Sequence, residues 1–250
     1  MAPADVFVFF DLGETLVDLG SLVKCIASRL QYEFPSVEAA AGEIAHTWIR
    51  RTSDSLPRKE GLPFVREIEV ASHVLTDLLV ARSVRISAED AEAVLRRSWN
   101  DFEEAVTFCP GVTEAWLEEI GGLATGLGIV TDGDAVNVDR LVNRLRLSDH
   151  FDVVVTSESV RAYKPRRPIY MAALQALRAD PGWSFFVSDT ALDLSGAAAV
   201  GMRTVFLPRR LLSRPTDLPA GAIVLKHPSD LCDALREFVA TKRFTMASDR

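Results

Sequence analysis

Five positions carry residue types that can do chemistry together. Val6-Phe7-Val8-Phe9-Phe10 is a continuous apolar run that ends in Asp11-Leu12-Gly13. Gly128-Ile129-Val130 ends in Thr131-Asp132-Gly133, and Phe185-Phe186-Val187 ends in Ser188-Asp189, with Asp193 four residues further on. Between these last two runs stands Lys164-Pro165. A carboxylate at the end of a buried strand, such as Asp11, is a nucleophile that can attack an electrophilic phosphorus and divide one hard step into two easier ones. The group in transfer is anionic, so its charge must be offset. Lys164 brings an ammonium and Thr131 a hydroxyl. The backbone N–H groups after Asp11 and after Thr131, the latter belonging to Asp132, complete an electrostatic cradle. Asp11 and Asp189, with Asp193 as a further candidate, offer oxygen ligands to one Mg²⁺, an ion that takes few carboxylates and keeps waters. Asp193 also suits a helix N-cap, and the two roles are compatible.

Such groups need a scaffold that brings them to one edge. Short apolar runs without alternation read as strands buried on both faces, as in a parallel sheet. Two more runs, 151–155 leading to Thr156-Ser157-Glu158 and 204–207 ending at Pro208, join the three above. Helical periodicity lies between them at 135–147, at 168–177 behind a leading Pro168, at 193–200 before Gly201, and at 230–239. Alternating strands and helices predict an α/β fold with a Rossmann-like parallel sheet, whose ligands bind at the carboxyl ends of the strands. Residues 19–103 differ. They read as four helices, 19–30, 36–51, 64–80 and 88–103, with breaks at Leu56-Pro57 and Leu62-Pro63 and a clear helix start at Ser87-Ala88-Glu89-Asp90. The expected division is a core of 1–17 plus 104–250 and an all-helical insert of 18–103. The tail, 241–250, is expected to fray.

In order, these segments resemble the motifs of the haloacid dehalogenase-like (HAD) superfamily. Asp11-Leu12-Gly13-Glu14-Thr15 is similar to its first motif, Asp-x-Asp-Gly-Thr. Thr131 matches the second motif, Lys164-Pro165 the third, and Asp189-x-x-x-Asp193 with Gly196 and Gly201 the fourth. The resemblance spans the chain and implies a hydrolase with a helical cap after the first motif. It implies that Asp11 is the nucleophile, that Lys164 assists it, and that Thr131, Asp132 and Lys164 hold the substrate phosphate. It further implies that Asp11, the Gly13 carbonyl, Asp189 and Asp193 form the Mg²⁺ site.

The resemblance fails at one position. The second Asp of the first motif, which protonates the leaving group in phosphatases, is Gly13 here, and Glu14 takes the usual glycine place. Acid–base help of that kind is worth about 10²–10⁴-fold. Glu14 should point elsewhere. The expectation is a phosphatase, slow or suited to activated phosphates, acting on a small phosphorylated metabolite. Two alternatives stand beside it: phosphonate or haloacid hydrolysis, the former needing a cap lysine (Lys24 or Lys59), and a non-catalytic binding protein.

Composition agrees with an ordinary globular chain. Of 250 residues, 48% are hydrophobic and 25% charged, which excludes a disordered chain. A net charge of −7 argues against nucleic acid or an anionic membrane as partner. Cys25, Cys109 and Cys232 form no CxxC pair, which favours a reducing, cytoplasmic setting. The run at 6–10 is too short for a signal or a span. A monomer and a homodimer are both compatible. Gly121, Gly122, Gly126 and Gly128 precede a strand-like run rather than following one, so they are no dinucleotide fingerprint. His46, His73, His150 and His227 show no ligand spacing. Arg50-Arg51 and Arg96-Arg97 read as solvated helix faces, with one or two cap arginines free to meet a charged substrate.

Overall fold

The structure is a computed structural model and describes residues 5–209 and 217–248. Six strands form one parallel sheet: β1 (Phe7–Phe10), β2 (Gly126–Thr131), β3 (Val153–Thr156), β4 (Ser184–Ser188), β5 (Arg203–Phe206) and β6 (Ile223–Val224), in the order β3-β2-β1-β4-β5-β6. The α/β fold expected from the pattern is what forms. The apolar runs have no polar face because both faces are covered. Phe7, Phe9 and Phe186 point to one cluster, with Ile169 and Leu194; Val8, Phe10, Phe185 and Val187 point to the other, with Trp116 and Leu231. The first cluster packs under α8 (Arg167–Leu177) and α9 (Ala191–Ala199). The second packs under α5 (Glu114–Leu123), α6 (Ala135–Arg144) and α10 (Asp230–Ser248). The short α7 (Ser157–Val160) follows β3.

Gly126 and Gly128 lie inside β2, not ahead of it. A Cβ on Gly128 would stand 2.5 Å from the Phe9 ring, so the glycine makes room for a neighbouring aromatic. The sheet grows from β1 to β2 and β3 on one side, then returns to β4, β5 and β6 on the other. The ends of β1 and β4 therefore flank the point where strand order reverses, the expected ligand crevice.

The insert holds four helices: α1 (Gly20–Glu33), α2 (Ala41–Ser55), α3 (Glu67–Val80) and α4 (Ala88–Ala105). They bury Ile26, Leu30, Ile44, Leu75, Leu95 and Phe102 completely, and Trp48 Nε1 donates to the Ala71 carbonyl at 3.0 Å. Ser87 caps α4 as expected, accepting from Asp90 N at 3.0 Å. The two chain crossings run side by side: Asp18 N donates to Thr107 O at 3.0 Å and Cys109 N to Leu16 O at 2.8 Å.

Several expected bounds move, each for a physical reason. The segment at 36–51 opens as a 3₁₀ turn, Pro35–Ala40, before α2. The segment at 64–80 becomes helical only at Glu67, where a core carboxylate caps it. The segment at 135–147 stops at Arg144, ahead of the left-handed Arg146. The last helix runs on through Ser248, into the tail of 241–250 that was expected to fray; 249–250 lie outside the described residues. Helix α9 begins at Ala191, because Thr190 Oγ1 accepts from Asp193 N at 3.4 Å. Thr190 is thus the N-cap, and Asp193 sits within the first turn. Helix α5 and strand β6 did not stand out in the pattern.

Candidate active site

Asp11 leaves the end of β1 with its N–H still on the ladder, donating to Val187 O at 3.0 Å. The chain then turns sharply. Leu16 N and Val17 N both donate to Leu12 O at 2.9 Å, and Glu14 takes a left-handed φ of +57°. That backbone suits glycine, and a larger residue there costs roughly 1–3 kcal/mol. The Glu14 carboxylate offsets part of this strain by accepting from Leu19 N at 2.8 Å. This hydrogen bond ties the carboxylate to the start of α1. Thr15 Oγ1 donates to Asp11 Oδ2 at 3.3 Å and accepts from Asp189 N at 3.3 Å, which joins the β1 and β4 loops.

Lys164 arrives from the β3–α8 connection. Its ammonium stands 2.5 Å from Asp11 Oδ1 and 2.7 Å from Asp193 Oδ2, with all three side chains buried. Ser188 Oγ also donates to Asp193 Oδ2, at 3.2 Å. Close approach of α9 makes this possible. A Cβ on Gly196 would lie 2.6 Å from Pro165 O and 2.7 Å from the Tyr170 hydroxyl, so only glycine lets α9 carry Asp193 to the lysine. Burial alone would lower the Lys164 pKa, but the carboxylates of Asp11, Asp193 and Asp132 outweigh it and hold the ammonium charged. Burial, then the Asp193 and Asp132 charges, push Asp11 up to about 6 against the pull of Lys164. Asp189 is held well above the usual carboxylate range by burial and by Asp11, Asp193 and Glu14. The floor therefore gathers the carboxyl groups of Asp11, Asp189 and Asp193 around one ammonium.

Thr131 is buried at the end of β2. The Asp132 side chain accepts from Lys164 N at 2.9 Å and pairs with Arg58, so it braces the loop after β2. A cavity of about 580 Å³ covers these groups. Asp11, Gly13, Thr131, Asp132, Lys164, Asp189 and Asp193 all line it, so the seven residues expected to hold the phosphate and the metal meet at one place. The helical insert forms the opposite wall with Leu19, Leu22, Trp48, Ile49, Arg58 and Trp99.

Three residues around the cavity were not singled out in the sequence, Arg58 and Glu67 on the insert and Asp134 on the core. Arg58 reaches across from the α2–α3 loop, where its guanidinium contacts Asp132 and lies 2.5 Å from Lys164 O. Glu67, the first residue of α3, also lines the cavity. Asp134 sends its two carboxylate oxygens to Glu67 N and Ile68 N, both at 2.9 Å. A charged residue beside the Pro57 helix break was the one clue to Arg58. Of the paired arginines, Arg50 lines the cavity, while Arg51, Arg96 and Arg97 pair with Asp77, Glu92 and Glu33. Lys24 and Lys59 do not line the cavity, and Lys164 is its lysine among the described residues.

The chain is similar to known proteins along most of its length. It is 34% identical to the glyceraldehyde 3-phosphate phosphatase of Pyrococcus abyssi over 206 residues, 80% of this chain and 79% of that one. It is 26% identical to the phosphorylated carbohydrates phosphatase of Thermotoga maritima over 232 residues, 92% and 98% of the two chains. Its fold superposes on the L-2-haloacid dehalogenase of Xanthobacter autotrophicus with a TM-score of 0.75 at 20% identity, covering 93% of this chain and 98% of that one. Residues 8–207 match the haloacid dehalogenase-like hydrolase family. With four fifths of its residues inside that match, and the sheet, the helical insert and the strand-end carboxylates in their expected order, this chain belongs to the haloacid dehalogenase-like hydrolases.

Proposed function

We propose that this hydrolase is a Mg²⁺-dependent phosphatase, acting on a small phosphorylated molecule through an aspartyl-phosphate formed on Asp11. The observation that carries the reading is the buried Asp11 carboxylate, 2.5 Å from the Lys164 ammonium, on the floor of a cavity of about 580 Å³. In this reading Asp11 attacks phosphorus, and Lys164 neutralises charge on both carboxylate and phosphoryl oxygens. Thr131 Oγ1 and the Asp132 N–H donate to the phosphoryl oxygens. Asp193 and Ser188 position the ammonium. Water then attacks the aspartyl-phosphate and releases phosphate.

The donor set fits a hard divalent cation. Among the described residues no three His, Cys, Asp or Glu side chains form a ready-made metal cluster. Mg²⁺ does not require one, because it takes one or two carboxylates plus carbonyls and waters. Asp11, Asp189 and the Gly13 carbonyl would hold it, while Asp193, engaged by Lys164, stands behind. Burial, together with the neighbouring Asp11, Asp193 and Glu14 carboxylates, holds Asp189 well above its ordinary range, and a bound cation would relieve both, which supports this assignment. When bound, the ion offsets charge on the phosphoryl oxygens.

We further propose that 18–103 acts as a cap over a core of 1–17 and 104–250. Its paired crossings at Val17 and Phe108 would serve as the hinge. Closure would exclude water from the site. The apolar wall of Leu19, Leu22, Trp48 and Trp99 favours a substrate whose organic part is compact and apolar. The three free thiols suit a cytoplasmic setting.

Phosphate release, measured with and without Mg²⁺, tests this reading on a panel running from simple phosphomonoesters through acetyl phosphate to phosphonoacetaldehyde. Mg²⁺-dependent release from the esters supports it. Release from none of them shifts the reading to hydrolysis of a 2-haloacid, which the missing carboxylate at Gly13 favours and a halide assay detects. Phosphonate cleavage through a lysine imine has less support, since Lys24 and Lys59 do not line the cavity.

A further inference from the structure

A phosphatase with glycine at position 13 needs its proton donor elsewhere. Of the carboxyl groups lining the cavity, Asp11, Asp189 and Asp193 lie at the strand ends, Asp132 braces Lys164 N and Arg58, Asp134 caps α3, and Asp54 and Asp217 are exposed to solvent. Glu67 differs from them in position. It stands on the insert wall, opposite the floor that holds Asp11, and its Oε2 lies 3.5 Å from where a Cβ on Gly133 would be. It thus overhangs the loop that carries Thr131 and the Asp132 N–H. A leaving oxygen departs from phosphorus on the side away from the attacking Asp11, which is the insert side.

On the reading of this chain as a phosphatase, we infer that Glu67 is the acid–base residue that takes over the task of the carboxylate absent at Gly13. In the first step an Asp11 oxygen bonds to phosphorus, the phosphorus–oxygen bond to the leaving group breaks, and the carboxylic acid of Glu67 gives its proton to the departing oxygen. In the second step the Glu67 carboxylate takes a proton from water as that water attacks phosphorus. The Asp11–phosphorus bond breaks, and phosphate leaves.

The surroundings suit the role. Burial, then the Asp134 and Asp132 carboxylates, push Glu67 up to about 8, against the pull of Arg58. Tyr163, also near these carboxylates, keeps its phenol protonated. Glu67 therefore holds its proton at neutral pH, as an acid catalyst must. Asp134 holds its backbone: both carboxylate oxygens are spent on the first turn of α3, so the start of the helix that carries Glu67 is tied to the core when the insert is closed.

The test compares Glu67→Gln with the wild-type protein on two esters, n-butyl phosphate and p-nitrophenyl phosphate. The parameter is kcat/KM, which covers the steps up to transfer onto Asp11. An alkoxide needs a proton to leave, and a nitrophenolate does not. The loss on the butyl ester should exceed the loss on the nitrophenyl ester by on the order of 10²-fold. The fall of kcat/KM above about pH 8 on the butyl ester should vanish with it. Glu67→Asp, which keeps an acid on a shorter stem, should restore part of the butyl ester rate. Equal losses on both esters, or an unchanged pH profile in Glu67→Gln, would overturn the assignment while leaving the phosphatase reading intact. If the wild-type protein cleaves neither ester, the phosphatase reading fails and this inference falls with it.

Discussion

The Lys164 ammonium is shared by Asp11 and Asp193, at 2.5 and 2.7 Å, in a pocket where all three are buried. One cation between two carboxylates fixes the nucleophile and makes the site dependent on a single side chain. Removing one partner of a buried ion pair leaves an uncompensated charge and costs about 3–5 kcal/mol. Lys164→Met, which keeps much of the stem, should destabilise the fold by roughly that amount in urea unfolding. It should also lose on the order of 10²-fold or more in turnover.

Metal dependence should appear in stability as well as in rate. Chelation should abolish turnover and Mg²⁺ restore it. Mg²⁺ should also raise Tm, because it relieves repulsion among Asp11, Asp189 and Asp193. Asp189→Asn should remove that rise. A Tm that ignores Mg²⁺ in the wild-type protein would count against a site built on Asp189.

Much of this site was legible in the sequence, because strand-end residues follow apolar runs that are hard to misread. Asp11, Thr131 and Asp189 are fixed by the sheet, and the sheet is fixed by short continuous runs buried on both faces, while Lys164 was marked by the Lys-Pro that precedes α8. What stayed hidden depends on contacts between distant segments. Helix α3 begins where Asp134, 67 residues away, caps it. Arg58 meets Asp132 across 74 residues. Neither contact leaves a periodicity. Gly126 and Gly128 were expected ahead of the strand, whereas both lie inside β2, where Gly126 makes room for Phe7 and Gly128 for Phe9.

Position 13 has a steric history as well as a chemical one. A Cβ on Gly13 would stand 2.8 Å from Leu19 Cδ1, so an aspartate placed there must push a flexible side chain aside. Gly13→Asp alone should give a modest gain on ordinary phosphomonoesters. With Leu19→Ala the gain should be larger, and the pair should partly rescue Glu67→Gln. Steady-state kinetics of the three variants will show it. No rescue with folded protein would contradict the view that a proton donor is what the site lacks at Gly13.

The Asp134 cap joins core to insert and can be measured alone. Loss of an N-cap costs about 0.5–2 kcal/mol. Asp134→Ala should lower stability by that much in chemical denaturation. Because α3 then loses its anchor, kcat should fall more than KM rises. A variant with wild-type stability and wild-type kcat would show that the contact at 2.9 Å does no positioning.

Glu67 also links stability to pH. Its folded-state pKa, about 8, lies above its ordinary 4.5, so folding favours the protonated form. The stability this contributes is full below about pH 4.5 and is lost as pH rises through about 8. Glutamine cannot ionise. The Tm of Glu67→Gln should therefore gain on that of the wild-type protein by a few degrees between about pH 5 and about pH 9. Parallel Tm curves would contradict the buried, protonated state of this group.

Every proposed step passes through Asp11 as the nucleophile, and one measurement reaches it most directly. Phosphate release from a phosphomonoester with Mg²⁺ present should fall by on the order of 10³-fold or more in Asp11→Asn. Asparagine keeps the size of the side chain but cannot form the aspartyl-phosphate. The variant should remain folded by circular dichroism. Release near the wild-type rate from a clean preparation of Asp11→Asn would contradict the account.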